Sequence, residues 1–233
     1  MTKILFIRHA FTPANNIRFN KQLGIYKIAK DKNMPIDLIY GVKQAEELNK
    51  FINTLSGNVL CLVSPYRRTN ETMNIALKNV NFSYEIKTLD ELSELNAGFH
   101  YAVNNSELLS VHPEAKEVLE NLKIDPYNTK YLNGESQIDV KNRTKNISSE
   151  LTLLSNSNKY DYIIIFGHGV ANNWIIYWLT GNLNKIYQNN CDVLSYEKGK
   201  VELIFHPKTI VPDGYKVDIE KHINHVNNSN IKY

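Results

Sequence analysis

The sequence predicts an α/β fold: a three-layer αβα sandwich with a mostly parallel central sheet and helices on both faces. First, 233 residues with 42% hydrophobic content suffice to bury one large core. Second, short apolar runs alternate with longer amphipathic segments, which is typical of strands connected by helices. Third, the apolar runs are continuous rather than alternating with polar residues, as expected for strands covered on both faces.

In the first half of the chain, two predicted strands are each followed by a predicted helix. Residues 3–7 (KILFI) and 59–63 (VLCLV) are short, apolar and rich in strand-forming side chains. Residues 42–52 and 67–77 have apolar side chains at helical spacing. This order predicts two parallel strands with a helical crossover between them.

The second half continues the alternation and then closes the sheet. The pattern predicts a helix over 136–154, a strand over 162–166, a helix over 170–179 and a final hairpin with strands at 191–196 and 201–205. Ser136 and Asp139 have the spacing of a helix N-terminal capping pair. Gly167-His168-Gly169 ends the strand before the next helix begins.

The chain is expected to form a single domain over residues 1–217. The pattern weakens between 96 and 133, where polar and aromatic residues mix with two prolines, and we interpret this region as an inserted lid. Residues 218–233 are polar and Asn-rich, and we expect a solvated, partly ordered C-terminal tail.

Composition and charge exclude several classes of function. A formal net charge of +3 without a dense Lys/Arg block argues against nucleic acid and slightly favours small anionic ligands. Two cysteines, Cys61 and Cys191, cannot form a disulfide framework, which fits a cytoplasmic protein. No N-terminal signal pattern and no apolar stretch long enough to span a bilayer occurs, so no membrane partner is expected.

Charged and imidazole side chains follow the predicted strands. His9 and His168 each come directly after an apolar strand, and Arg68 lies just beyond the strand at 59–63, where a helix begins. Because ligands of open α/β sheets bind beyond the carboxyl ends of parallel strands, these three side chains are expected to meet in one place. Arginine and a helix N-terminus both favour phosphate, so the pattern predicts a phosphate site.

Six short motifs occur in order over most of the chain and resemble the histidine phosphatase superfamily, also called the phosphoglycerate mutase-like family. They are Arg8-His9-Ala10 with Thr12 and Asn15, Gly41-Val42-Lys43-Gln44-Ala45, Ser64-Pro65-Tyr66-Arg67-Arg68 with Thr72, Leu92-Ser93-Glu94 with Gly98, Gly134-Glu135-Ser136 with Arg143, and His168-Gly169. One such motif alone is weak, but six in order are specific. The resemblance implies a phosphoglycerate mutase-like fold.

The resemblance also implies a reaction and a role for each residue. The expected function is hydrolysis of phosphomonoesters of small metabolites by a histidine acid phosphatase-type enzyme, without metal or other cofactor. By resemblance, His9 is the nucleophile that becomes phosphohistidine and Glu94 the general acid and base. Arg8, Arg68 and His168 then complete the catalytic set around the phosphoryl group, and the remaining substrate-binding residues are Asn15, Thr12 and Gly169. A homodimer is the assembly to be tested.

Other functions stay open at this point. Phosphoglycerate mutase-type transfer is one alternative, although long mutase-specific stretches near the acid and the late histidine are missing. A non-catalytic protein that binds a phosphorylated ligand is another. Departures from the motifs, such as Ala10 for the commoner glycine and Phe99-His100-Tyr101-Ala102 after Gly98, concern the substrate and leave the catalytic set complete.

The sequence gives little support to three other functions. Cys61 and Arg67 satisfy the Cys-x5-Arg spacing of cysteine-dependent phosphatases, but Pro65 removes a backbone donor from that loop and Cys61 lies within a buried strand. Metal-dependent hydrolysis is not favoured, because the histidines lack the close paired spacing of metal ligands. Dinucleotide binding is not favoured either, because no Gly-x-Gly-x-x-Gly motif follows the first strand.

Overall fold

A six-stranded sheet forms the centre of the protein, in a computed structural model that describes residues 2–20, 31–101, 103–182 and 186–228. The strands are β1 (Lys3–Arg8), β2 (Asn58–Val63), β3 (Ser83–Thr88), β4 (Tyr162–Gly167), β5 (Val193–Glu197) and β6 (Lys200–Phe205). Their spatial order is β3-β2-β4-β1-β5-β6. The first four are parallel, and the β5–β6 hairpin adds antiparallel to β1.

Helices surround this sheet. They are α1 (Pro13–Asn20), α2 (Tyr40–Ile52), α3 (Arg67–Ala76), α4 (Asn105–Val111), α5 (Ala115–Ile124), α6 (Gln137–Asn156), α7 (Gly169–Thr180) and α8 (Ile219–Asn228). No helix in these described ranges has both the length and the apolar character needed to cross a bilayer.

Two apolar clusters, one on each face of the sheet, explain the continuous apolar strands. In β1, Leu5 and Ile7 pack with residues of α2 and α3, whereas Ile4 and Phe6 pack with residues of α6 and α7. All four side chains have 0% exposure. Because successive side chains of a strand point to opposite faces, a strand covered on both sides has no polar positions in its middle. The predicted αβα sandwich is therefore confirmed.

The local predictions agree with these bounds to within a few residues. The capping pair is also confirmed: the Asp139 amide donates to Ser136 Oγ at 3.2 Å, and Asp139 Oδ2 accepts from the Ser136 amide at 2.9 Å. Strand β3 was not predicted, because all six of its residues are exposed and no apolar run marks it. It forms through backbone pairing with β2 at the edge of the sheet.

The region 96–133 and the C-terminus have more regular structure than their composition indicates. Helices α4 and α5 lie in the first of these regions. In the second, residues 219–228 form α8, in which His222 is the buried residue, at 1% exposure. The Leu38 amide donates to His222 Nε2 at 3.2 Å, a tertiary contact that polar composition cannot reveal. Residues 229–233 lie outside the described residues.

Candidate active site

The two predicted histidines are neighbours at the carboxyl edge of the sheet. Strands β1 and β4 pair in parallel with Arg8 opposite Gly167, so His9 and His168 follow at equivalent positions. Their ring centroids are 5.2 Å apart, and the side chains are 5% and 0% exposed. Strand β2 lies on the other side of β4 and ends at Val63, and Oγ of the next residue, Ser64, is 2.8 Å from His168 Nε2.

A single backbone contact determines which nitrogen of His9 is reactive. Its Nδ1 is 2.8 Å from the Ala10 carbonyl oxygen, and a carbonyl can only accept, so Nδ1 carries the proton. Nε2 therefore holds the free lone pair. Burial, with Arg68 and Arg8 nearby, lowers the pKa of His9 well below its ordinary value of 6.5, which keeps the ring neutral near pH 7.

The loop after His9 is held by α2 and α3. The Ala10 amide donates to Thr72 Oγ1 at 2.9 Å, and the Phe11 amide donates to Gln44 Oε1 at 3.0 Å. At Gly41, a side-chain Cβ would lie 2.4 Å from the Phe11 carbonyl oxygen, so only glycine allows this approach. The Gly-x-x-Gln-Ala motif and Thr72 thus fix the backbone that carries the nucleophile.

His168 presents a hydrogen-bond donor to the site. The Tyr66 amide donates to Ser64 Oγ at 3.4 Å, and the Ser64 hydroxyl can give its own proton to His168 Nε2. In that tautomer His168 carries its proton on Nδ1, which is buried and has no partner among the described residues. Burial, followed by the charge of Arg68, lowers the pKa of His168 well below 6.5. A neutral ring with an unused N–H is the result.

Arg8 also has a buried N–H group that has no acceptor among the described residues. Its Nη1 donates to the Gln188 carbonyl at 2.7 Å, while its Nε is buried and unpartnered among the described residues. Gly169 lies beside it, because a Cβ at this glycine would be 3.9 Å from Arg8 Nε. A buried N–H without an acceptor is costly, so these donors indicate a place for an anion.

The side chain of Arg68 projects from the first turn of α3. Its guanidinium stacks on the Tyr66 ring at 4.6 Å, and its Nη1 donates to the backbone oxygen and to Oδ1 of Asp31, both at 2.8 Å. Burial lowers the pKa of Arg68, but Asp31, Tyr101 and Glu94 raise it, and the net shift is upward. Arg68 is therefore a permanent cation.

Glu94 reaches the same site from the loop after β3. Its Oε1 accepts from its neighbouring amide of Leu95 at 2.9 Å and from the Val170 amide, at the start of α7, at 3.2 Å. Burial raises the pKa of Glu94, although the Leu95 N–H and the Arg68 and Arg8 cations oppose this shift. A raised pKa suits a carboxyl group that has to donate a proton.

Arg143 holds the Glu94 loop in place. Its Nη2 donates to the Ser93 and Glu94 carbonyls at 2.7 and 3.1 Å, and its Nε donates to Glu135 Oε1 at 3.1 Å. Glu135 Oε2 in turn accepts from the Asn96 amide at 2.9 Å. The Gly-Glu-Ser motif and Arg143 therefore hold the loop that carries Glu94.

Thr12 and Asn15 form a turn next to His9. Asn15 Oδ1 accepts from the Thr12 amide at 3.0 Å and from Thr12 Oγ1 at 2.9 Å. Asn190 Nδ2 lies 3.5 Å from the same oxygen and donates to the His9 carbonyl at 2.8 Å. Thr12 thus orients Asn15, and direct substrate binding by either residue stays a prediction.

Several residues of the site were not predicted from the sequence. Ser64 could have been found, because it follows its strand directly, as His9 and His168 follow theirs. Tyr66, Gln188 and Asp31 have no such signal. Asp31 lies 37 residues from Arg68 in the chain, and only the tertiary structure brings the two together.

The cysteine mechanism finds no support in the geometry. Cys61 is 0% exposed in the middle of β2, and burial raises the pKa of its thiol to about 12. Arg67 is engaged by Glu71, with Nε donating to Oε1 at 2.7 Å. Over the described ranges, no three His, Cys, Asp or Glu side chains are placed to hold one metal ion.

Comparison with known proteins agrees with this architecture. The sequence model described as "Histidine phosphatase superfamily (branch 1)" matches residues 4–203. The comparison with curated proteins gave no significant match.

Solved structures with the same fold include three phosphatases. The alpha-ribazole phosphatase from Shigella flexneri is 20% identical, with a TM-score of 0.67 over 91% of this chain and 98% of that one. The phosphoserine phosphatase from Entamoeba histolytica in complex with 3-phosphoglyceric acid is 19% identical, with a TM-score of 0.59 over 90% and 98% of the two chains. A mycobacterial glucosyl-3-phosphoglycerate phosphatase is 15% identical, with a TM-score of 0.62 over 83% and 89%.

Proposed function

The chain belongs to the histidine phosphatase superfamily, and we propose that it hydrolyses phosphomonoesters of small metabolites through a phosphohistidine on His9. One observation supports this most: the neutral His9 lies beside two buried nitrogen atoms, Arg8 Nε and His168 Nδ1, that lack a hydrogen-bond partner among the described residues. Three relatives of the same fold are named as phosphatases, which agrees with the proposal.

In the first half-reaction, His9 Nε2 attacks the phosphorus in line with the leaving oxygen. The N–P bond forms as the P–O bond breaks, and negative charge on the equatorial oxygens is stabilised by Arg8, Arg68 and His168. Glu94, whose pKa is raised by burial, gives its proton to the departing alcohol oxygen. The products of this step are the free alcohol, phosphohistidine and the Glu94 carboxylate.

In the second half-reaction, water replaces the alcohol. The Glu94 carboxylate accepts a proton from the water as its oxygen attacks phosphorus and the N–P bond breaks. Inorganic phosphate leaves, and His9 and the protonated Glu94 are restored. A mutase would instead return the phosphoryl group to a second alcohol.

The test is a rapid-quench assay with p-nitrophenyl phosphate. We expect steady release of p-nitrophenol and inorganic phosphate in equal amounts, and an acid-labile phosphoenzyme that rises to at most one equivalent. Transfer to added phosphoglycerate in preference to water would support the mutase alternative. Tight binding of phosphate without turnover would support the non-catalytic alternative.

Arg68 and Arg67 are adjacent buried arginines and offer a matched comparison. Arg68→Ala removes a preorganised donor from the phosphoryl position, and we expect kcat to fall by about 10²–10³-fold with little change in thermal stability. Arg67→Ala removes the buried partner of Glu71 instead, so we expect a lower Tm and nearly full activity below the transition. Equal losses of kcat in the two variants would contradict the role of Arg68.

The pKa shifts predict an activity maximum on the acid side of neutrality. The pKa of His9 lies well below 6.5, so the nucleophile stays neutral as the pH falls through the range in which an ordinary histidine is protonated. The pKa of Glu94 is raised, so its acid form persists above the usual range and is lost as the pH increases further. We expect a bell-shaped profile of kcat/KM whose alkaline limb disappears when Glu94 is replaced by Gln; a flat profile would contradict the assignment.

Four further expectations stay predictions. They are the lid role of residues 96–133, the small size of the metabolite, the homodimer and the cytoplasmic location. In this region, burial and the charge of Asp31 raise the pKa of Tyr101, so its hydroxyl lies near Asp31 and Arg68.

A further inference from the structure

A carboxylate lies directly against the phosphate-binding arginine, although the proposed reaction does not use it. Asp31 Oδ1 accepts from Arg68 Nη1 at 2.8 Å, and the Tyr101 hydroxyl is close enough to the same carboxylate for its pKa to be raised by burial and by this charge. The Asp31 side chain is 17% exposed, against 5% for Arg68. Asp31 is therefore more accessible to solvent than the arginine that it contacts.

The backbone of Asp31 is anchored to the rest of the protein. The Met34 amide donates to the Asp31 carbonyl at 3.3 Å, and the Met34 side chain is 0% exposed in a cluster with Val217 and Tyr101. Two residues later, the Ile36 amide donates to Glu71 Oε2 at 2.9 Å, on the same helix as Arg68. Asp31 is thus held in this place by the residues that follow the 3-10 turn Asp31–Asn33.

The balance of charge in the pocket restricts what can lie next to the phosphoryl group. Arg8 and Arg68 supply two positive charges, which a phosphomonoester dianion neutralises. Asp31 adds a negative charge, and Arg143 is already engaged by Glu135. A second anionic group on the substrate near Asp31 therefore meets the like charge of the Asp31 carboxylate.

A substrate group that donates a hydrogen bond at the same position can instead bind to the Asp31 carboxylate, which accepts hydrogen bonds. A carboxylate offers about four acceptor positions, and Arg68 takes one of them. A hydroxyl or ammonium group of the substrate can donate to the others, whereas a carboxylate of the substrate cannot.

From this arrangement we propose that Asp31 determines specificity. It favours phosphate esters whose alcohol part carries a hydroxyl or ammonium group near the ester, and it rejects esters with a second anionic group there. This inference rests on the proposed phosphatase function and adds a substrate class to it.

The test compares three phosphate esters, two of which differ at one carbon. Glycerol 3-phosphate carries a hydroxymethyl group where 3-phosphoglycerate carries a carboxylate, and O-phosphoethanolamine supplies an ammonium group. For the wild-type protein, we expect kcat/KM for glycerol 3-phosphate and phosphoethanolamine to exceed that for 3-phosphoglycerate by about tenfold or more. In Asp31→Asn, the ratio should fall by about tenfold, chiefly because 3-phosphoglycerate improves.

The matched control is Glu197→Gln, which also removes one negative charge. Glu197 pairs with Lys3 at 3.6 Å on the surface, at the opposite edge of the sheet, so the ratio should not change. An equal loss for all three esters in Asp31→Asn would show that Asp31 only orients Arg68 and would overturn the proposal. A wild-type preference for 3-phosphoglycerate would overturn it as well.

Binding separates this inference from the phosphatase proposal. The dissociation constants of glycerol 3-phosphate and 3-phosphoglycerate, measured by calorimetry in His9→Ala, should differ in the same direction and converge in His9→Ala/Asp31→Asn. If the wild-type protein hydrolyses no ester, this readout still supports or overturns the role of Asp31.

Discussion

His9→Ala is expected to lose phosphatase activity by at least about 10³-fold and to form no phosphoenzyme. The reason is that no other described side chain in the pocket presents a free lone pair at the same place: His168 Nε2 is occupied by Ser64. Turnover of p-nitrophenyl phosphate and acid-labile phosphate on the protein are the two measurements. The fold should survive, because His9 contributes mainly one short-range bond to the Ala10 carbonyl.

His206→Asn serves as the matched control for removing an imidazole. His206 lies at the end of β6, is about half exposed, and hydrogen bonds through Nδ1 to Asp192, a contact that the asparagine amide can replace. We expect this variant to keep wild-type turnover. If His9→Ala retained more than a small fraction of activity while His206→Asn was unaffected, the nucleophile would have to be another group.

Glu94→Gln is expected to lower kcat by about 10²–10⁴-fold for alkyl phosphates, because the amide cannot give a proton to the leaving alcohol. The loss should be smaller for p-nitrophenyl phosphate, whose leaving group is stable as an anion. This dependence on the leaving group distinguishes a general acid from a residue that only supports the loop. Steady-state rates on glycerol 3-phosphate and p-nitrophenyl phosphate provide the comparison.

Glu91→Gln is the natural control, because Glu91 lies three residues earlier in the same acidic stretch and is exposed. Its backbone carbonyl, not its carboxylate, accepts from Arg143, so the substitution should leave both rates unchanged. The general-acid assignment would be wrong if the two variants lost similar activity, or if Glu94→Gln affected both substrates equally.

Much of this site follows from the sequence, because its central residues are attached to strands. The apolar runs that form β1 and β4 are long enough to identify as buried strands, and His9 and His168 follow them directly. Parallel pairing then requires both imidazoles to lie at the same edge of the sheet. The choice of Glu94 over Glu91 came from the family motif, since spacing alone does not distinguish two glutamates in one turn.

Local sequence was less informative where elements form through distant contacts. The exposed strand β3 has no apolar run and forms by pairing with β2. Helix α8 has a polar sequence, yet His222 is buried against the residues that precede α2. In both cases, the partner that stabilises the element lies far away in the chain.

The sequence by itself determined the α/β class, five of the six strands of the central sheet and the residues at their carboxyl ends, because apolar periodicity is a local property that burial on two faces imposes. Only the tertiary structure decided the protonation of His9, the support of Glu94 by Arg143 and the contact between Asp31 and Arg68. These features depend on hydrogen bonds and burial, which arise when segments far apart in the chain pack together.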